Sequence, residues 1–198
     1  MAISFVSADS AQATSITIPT HQKGDLILMM ATGGSSVTVP AGWTEILSGT
    51  ATTNKVGYKI AASSGETSGT WSGATGLSVG VYRGASGVGN ASAVTESGVT
   101  RIRYAALTLS VTNGSSWVVG VGGITQSGTY YALPPSGMVN RTYSPNNATK
   151  EATLNDTNGG AASWPQTDVT TASLTYRTFT IELLAAPGAD VSLFWAFP

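Results

Sequence analysis

The chain has 198 residues, no cysteine, one histidine and a formal net charge of −1, with only 10% of its residues charged. That length buries a sizeable core without cross-links, and the lack of cysteine excludes disulfides and thiolate metal sites. The near-neutral balance leaves no basic footprint for nucleic acid and no polybasic arm for a membrane, so neither is expected as a partner.

The opening residues MAISFVSADS lack the charged and long apolar regions of a signal peptide. No apolar run approaches the ~20 residues a spanning helix requires. The longest, Leu26 to Ala31 and Trp117 to Val121, are of strand length. A soluble chain is expected, with its low charge pointing to surface covered by other subunits, because a lone soluble domain carries ~25% charged residues.

Apolar residues alternate or form short β-branched runs bounded by Gly, Asn, Ser and Pro, which is the period-2 signal of strands. Ile3 to Val6 reads as a first strand and Ser15 to Ile18 as a second, ended by Pro19. Gly24-Asp25 supplies a turn into Leu26 to Ala31, apolar on both faces and hence central. Pro40-Ala41-Gly42-Trp43 is a corner: Pro40 fixes φ, Gly42 permits a left-handed residue, and Trp43 folds inward as an anchor. Thr44 to Leu47, Lys55 to Ala61, Thr70 to Ser72 and Leu77 to Tyr82 follow as strands. Residues 84–100, rich in Gly, Ala and Ser, read as a linker or extended loop.

The same grammar then returns. Ala106 to Val111 answers Ser15 to Ile18, Asn113-Gly114 supplies the turn, and Trp117 stands 91 positions after Leu26. Gly137 follows Gly42 by 95 positions and Thr178 follows Leu77 by 101, so the second copy has gained residues in its loops. Trp164 answers Trp71. Two degenerate copies of a four-strand unit, residues 14–86 and 106–186, are expected to close as one all-β domain over 1–198, a jelly-roll-like antiparallel β-sandwich. Val191 to Phe197, an apolar run with no counterpart in the first copy, is expected to pair beside Ile3 to Val6 or to add to a neighbour's sheet.

No chemistry-bearing constellation emerges. His21, beside Lys23, is the sole imidazole, so a histidine pair for a metal is impossible, and it reads as a solvated loop residue. The acids Asp9, Asp25, Glu45, Glu66, Glu96, Glu151, Asp156, Asp168, Glu182 and Asp190 are scattered singly, and nothing marks the facing pair that a glycan hydrolase needs. Asn155 to Gly159 lacks the remaining ligands of a calcium loop and reads as a turn. Arg101 and Arg103 alternate with Ile102 and Tyr104, as in a strand with one solvated polar face. No catalytic residue, metal or cofactor is assigned. Pro40, Gly42, Trp43, Trp71, Trp117 and Trp164 are assigned as structural anchors, and Tyr130-Tyr131 as the exposed aromatic pair where a partner surface would lie.

The ordered series IPTHQKGDLILMMATGG, VPAGWTEI, KVGYKIA, TWSG and LSVGVYRGA resembles a β-sandwich family of tailed-bacteriophage structural proteins. The match covers most of residues 16–86, with a degenerate echo over 106–186 in which Met138 stands for Trp43 and Glu182-Leu183-Leu184 stands in place of Val81-Tyr82-Arg83-Gly84. The resemblance implies a non-enzymatic virion component made in the host cytoplasm: a head decoration or cement protein, or a collar or neck protein. Its partners would be capsid, portal or tail subunits and further copies of itself. The alternatives are a tail-fibre or baseplate module that binds receptor glycans and, furthest from the sequence, a glycan hydrolase.

Overall fold

The computed structural model describes residues 1–48, 53–124, 134–144 and 151–187. Among them, backbone pairing gathers the period-2 segments into ten strands and no helix. The first five are β1 (Ser4–Ala11), β2 (Leu26–Gly33), β3 (Thr44–Ile46), β4 (Asn54–Ile60) and β5 (Ala74–Arg83), which form one antiparallel sheet in the order β1-β5-β2-β4-β3. The second sheet contains β6 (Ala85–Tyr104), β7 (Trp117–Ile124), β8 (Val139–Tyr143), β9 (Glu151–Asp156) and β10 (Thr167–Ala185), in the order β6-β10-β7-β9-β8. Each half of the chain thus makes a whole sheet, and the two sheets share one topology. The register gives the correspondence: Leu26 pairs with Tyr82 in the first sheet and Trp117 with Leu183 in the second.

The sheets pack face to face as an antiparallel β-sandwich, stacked in opposite strand order. β1 lies against β8, where Ser10 Oγ donates to the Tyr143 carbonyl over 2.7 Å, and β5 lies against β9, where Ser78 Oγ donates to the Ala152 carbonyl over 2.6 Å. Leu26, Leu28, Met30 and Tyr82 meet Val119, Val121, Leu154, Phe179 and Ile181 in the shared core.

Each sheet also has an outer core. Ile27, Met29, Val79 and Val81 point away from the sandwich centre and are covered by Ile18, Val37 and Trp71 from the loops. Burying such a side chain stabilises the fold by about 1.5–3 kcal/mol, so ordering these loops has an apolar driving force. Leu107, Leu109, Met138 and Trp164 cover the second sheet in the same way around Val118. Two buried faces explain why β2 is buried at every residue and reads as a continuous apolar run.

Several expectations change. Each unit has five strands, not four, because an edge strand, β1 or β6, precedes each central strand. Residues 84–100 are no linker: Ala85 to Tyr104 is β6, antiparallel to β10, and its small residues belong to a sheet edge. Ser15 to Ile18 and Ala106 to Val111 are covering loops that make only the isolated bridges Thr17 to Thr67 and Leu107 to Trp164. Thr70 to Ser72 is likewise no strand, since Trp71 works by packing on the outer face. Asn155 and Asp156 belong to β9 and are buried, leaving only residues 157–160 to turn. Tyr130, Tyr131 and Val191 to Phe197 lie outside the described residues.

Candidate functional site

The motif residues converge on two structural clusters. At the first, the Pro40 corner turns through Gly42, whose φ of +84° disfavours any side chain. Trp43 leaves the corner half-buried and meets the fully buried Trp71 edge to face, with ring centroids 5.3 Å apart. Both indoles donate to one acceptor, the Ser68 carbonyl, over 3.0 and 3.2 Å. Ser68 Oγ accepts the Ile16 N–H over 3.0 Å and ties in the covering loop. Lys59 Nζ lies 4.9 Å from the Trp43 ring centre and pairs with Glu66 over 2.8 Å. The Lys59 hydrogen bond, joined by the Ala62 N–H, holds the Glu66 carboxyl below its usual range. Gly57 on β4 leaves room for the Trp71 ring, since a methyl group there would stand 3.0 Å from it.

The second cluster joins the two ends of the motif series. Asp25, at the entry to β2, accepts two hydrogen bonds of 3.0 Å from Arg83 at the end of β5 and a third of 2.9 Å from the Gln22 N–H. Burial alone raises the Asp25 pKa, but the Arg83 and Gln22 donors outweigh it and hold the carboxyl below its ordinary value. The aspartate after Gly24 and the arginine after Tyr82 are therefore one clasp, closing the turn onto the neighbouring strand.

The second copy solves the same problem with different residues. Ser116 stands where Asp25 stands, and the carboxylate comes from Glu182 on β10, at the place of Val81. Fully buried, it accepts the N–H groups of Asn90, Ser110 and Val111 and the hydroxyls of Ser110 and Ser116 over 2.8–3.1 Å. Burial raises its pKa, and this set of donors more than reverses the effect. Met138 replaces Trp43 beside Trp164, whose indole nitrogen has no hydrogen-bond partner among the described residues.

Between the sheets, Asp156 on β9 is fully buried and takes a bidentate bond from Arg141 on β8, over 2.8 and 2.9 Å. Tyr82 of the opposite sheet donates to the same carboxylate over 3.1 Å, and the Arg141 guanidinium lies 4.1 Å from the Phe5 ring centre. Burial, reinforced by the Asp156 charge, pushes the Tyr82 hydroxyl pKa well above its ordinary value. Sequence reading assigned Asp156 to a turn. The signal present was an acid two positions after Leu154 of the Ala-Thr-Leu segment, and the Tyr82 and Arg141 partners lie 74 and 15 positions away.

Arg101 and Arg103 are ion-paired. Both reach Glu96 and Asp168 within 3.9 Å, and Tyr176 donates to Glu96 over 2.7 Å. His21 is bound as well: Nδ1 lies 2.7 Å from the Pro19 carbonyl, and Nε2 accepts the Glu66 N–H over 3.1 Å. Six described carboxylates, Asp25, Glu45, Glu66, Glu96, Asp156 and Asp168, are each bound to a cation. Among the described residues no group of three or more His, Asp or Glu is placed to hold a metal.

Of the assigned anchors, Pro40, Gly42, Trp43 and Trp71 come together at the first corner. Trp164 holds the equivalent place in the second unit, against Gly137 of its own corner. Trp117 stands apart in the shared core, edge to face with Tyr82 at 6.2 Å. The class these features define is an antiparallel two-sheet β-sandwich whose distinctive polar residues brace strands, loops and sheets. No family model, curated protein or solved structure matches the chain.

Proposed function

We propose that this protein is a non-enzymatic structural component of a tailed-phage virion, a head decoration or cement protein or a collar or neck protein, that acts by burying surface between neighbouring subunits. The observation that carries the reading is the use made of the motif residues. Asp25 and Arg83 clasp a turn, and Trp43 and Trp71 share the Ser68 carbonyl. The features behind the resemblance thus brace a sandwich. A charged content of only 10% supports a surface partly covered by other subunits. Mass spectrometry of purified particles tests the reading: many copies per particle are expected, and absence from particles would refute it.

A further inference from the structure

We infer that the outer edge of β6 is an association edge, and that a second copy of this chain pairs with it antiparallel across a two-fold axis. Among the described residues, β6 pairs with β10 alone, so its other edge carries no strand. An open edge invites strand addition unless it is short, charged, bulged or covered. The other three edges have such protection. β3 is three residues long and carries Glu45, β8 is five and carries Arg141, and β1 has a register break between Phe5 and Ser7 and carries Asp9.

β6 is the exception. It runs for 20 residues, and Ala85 to Thr95, ASGVGNASAVT, contains no charge and no proline. Two irregularities interrupt its first half, one opposite Glu182 and one between Leu184 and Ala185, and two more follow beyond Glu96, but Ala91 to Glu96 pair with β10 without interruption. The core is also thinly covered on this flank. Of the first sheet, it is β2 that meets β6. Leu47, Tyr58, Val88, Ala91 and Ala93 line the shared core there and remain partly exposed.

The choice of a second copy follows from self-complementarity. A two-fold axis brings the residue lying on it against its own copy and pairs the flanking positions reciprocally, so the same short segment supplies both sides of the contact. Charged strands would repel in that arrangement, whereas Ser, Ala, Val and Thr at 91–95 neither repel nor obstruct a close backbone approach. Pairing would continue the second sheet across two molecules and cover the exposed flank of each core.

This inference deepens the structural role proposed above and rests on it. Its test uses purified chain, so that either can fail alone: a dimer not found in particles would refute only the virion reading, and a monomer found in particles would refute only the edge. Sedimentation of the wild type should give the mass of two chains. Ser92→Lys should shift it to one chain with the thermal midpoint retained, because two lysines would then face each other near the axis. Val139→Lys, on the β8 edge, should leave the dimer intact. Single cysteines introduced one at a time at 91–95, in a chain otherwise without cysteine, should give a disulfide-linked dimer on mild oxidation only at the position that lies on the axis. A monomeric wild type would overturn the inference. So would a Ser92→Lys dimer of unchanged affinity, or a dimer formed only after removal of residues 190–198, which would make the chain's own tail the occupant.

Discussion

Tyr82 Oη donates to the buried carboxylate of Asp156 over 3.1 Å and joins β5 of one sheet to β9 of the other. The contact lies inside the sandwich, where Arg141 supplies the matching charge. The carboxylate is thus satisfied by groups from both halves of the chain, and its two partners should respond differently to mutation.

Removing Arg141 leaves a buried charge without its cation, so Arg141→Ala should destabilise the fold by about 3–5 kcal/mol. Tyr82→Phe removes one neutral donor and should cost about 1–3 kcal/mol. Urea denaturation of the two variants and of the double mutant checks this. Strict additivity of the two losses would show that the residues do not share the carboxylate.

Glu182→Ala should destabilise by about 3 kcal/mol, since three N–H groups and two hydroxyls lose one buried acceptor together. Glu182→Gln keeps one carbonyl oxygen and should recover part of the loss. Chemical denaturation midpoints that rank wild type above Gln above Ala are expected, and equal midpoints would rule out a bracing role for this carboxylate.

The two tryptophans on the Ser68 carbonyl should differ as their burial does. Trp71→Ala empties a fully buried site and should cost about 3–5 kcal/mol, whereas Trp43→Ala, at a half-buried site, should cost about 2 kcal/mol. Thermal unfolding of both variants measures the ranking, and a larger loss at Trp43 would contradict the packing described.

Stability should fall at both ends of the pH range. Asp25, Glu66, Glu96 and Glu182 titrate below their ordinary values in the fold. The unfolded chain therefore holds those protons more tightly, and the stabilisation, complete above the unfolded carboxyl pKa, is lost as pH falls through the lower folded values. Tyr82, Tyr104 and Tyr176 shift upward chiefly through burial, Tyr176 to about 12. Their contribution is complete below the ordinary phenol value and is lost as pH rises above it. Thermal midpoints should be flat from about pH 5 to 9 and decline on either side. A midpoint that rises on acidification below about pH 4 would contradict the acid limb.

Period-2 alternation with glycine and proline punctuation determined the all-β class and the antiparallel sandwich, because these signals act within a few residues of one another. The return of the same segments after about a hundred positions was also legible, as was the change at Glu182, where an acid interrupts an apolar strand. Only the tertiary structure decided which strands share a sheet. Ala85 to Thr95 carries too few large side chains to announce a strand, and it becomes one because β10 offers a ladder for it to pair with. Ser15 to Ile18 has strand character but ends as a loop over the outer core, where burying Ile18 outweighs further pairing. The partners of Asp156 were hidden for the same reason: a buried carboxylate is satisfied by whatever donors the fold brings within 3 Å or so, and sequence separation says nothing about which those are.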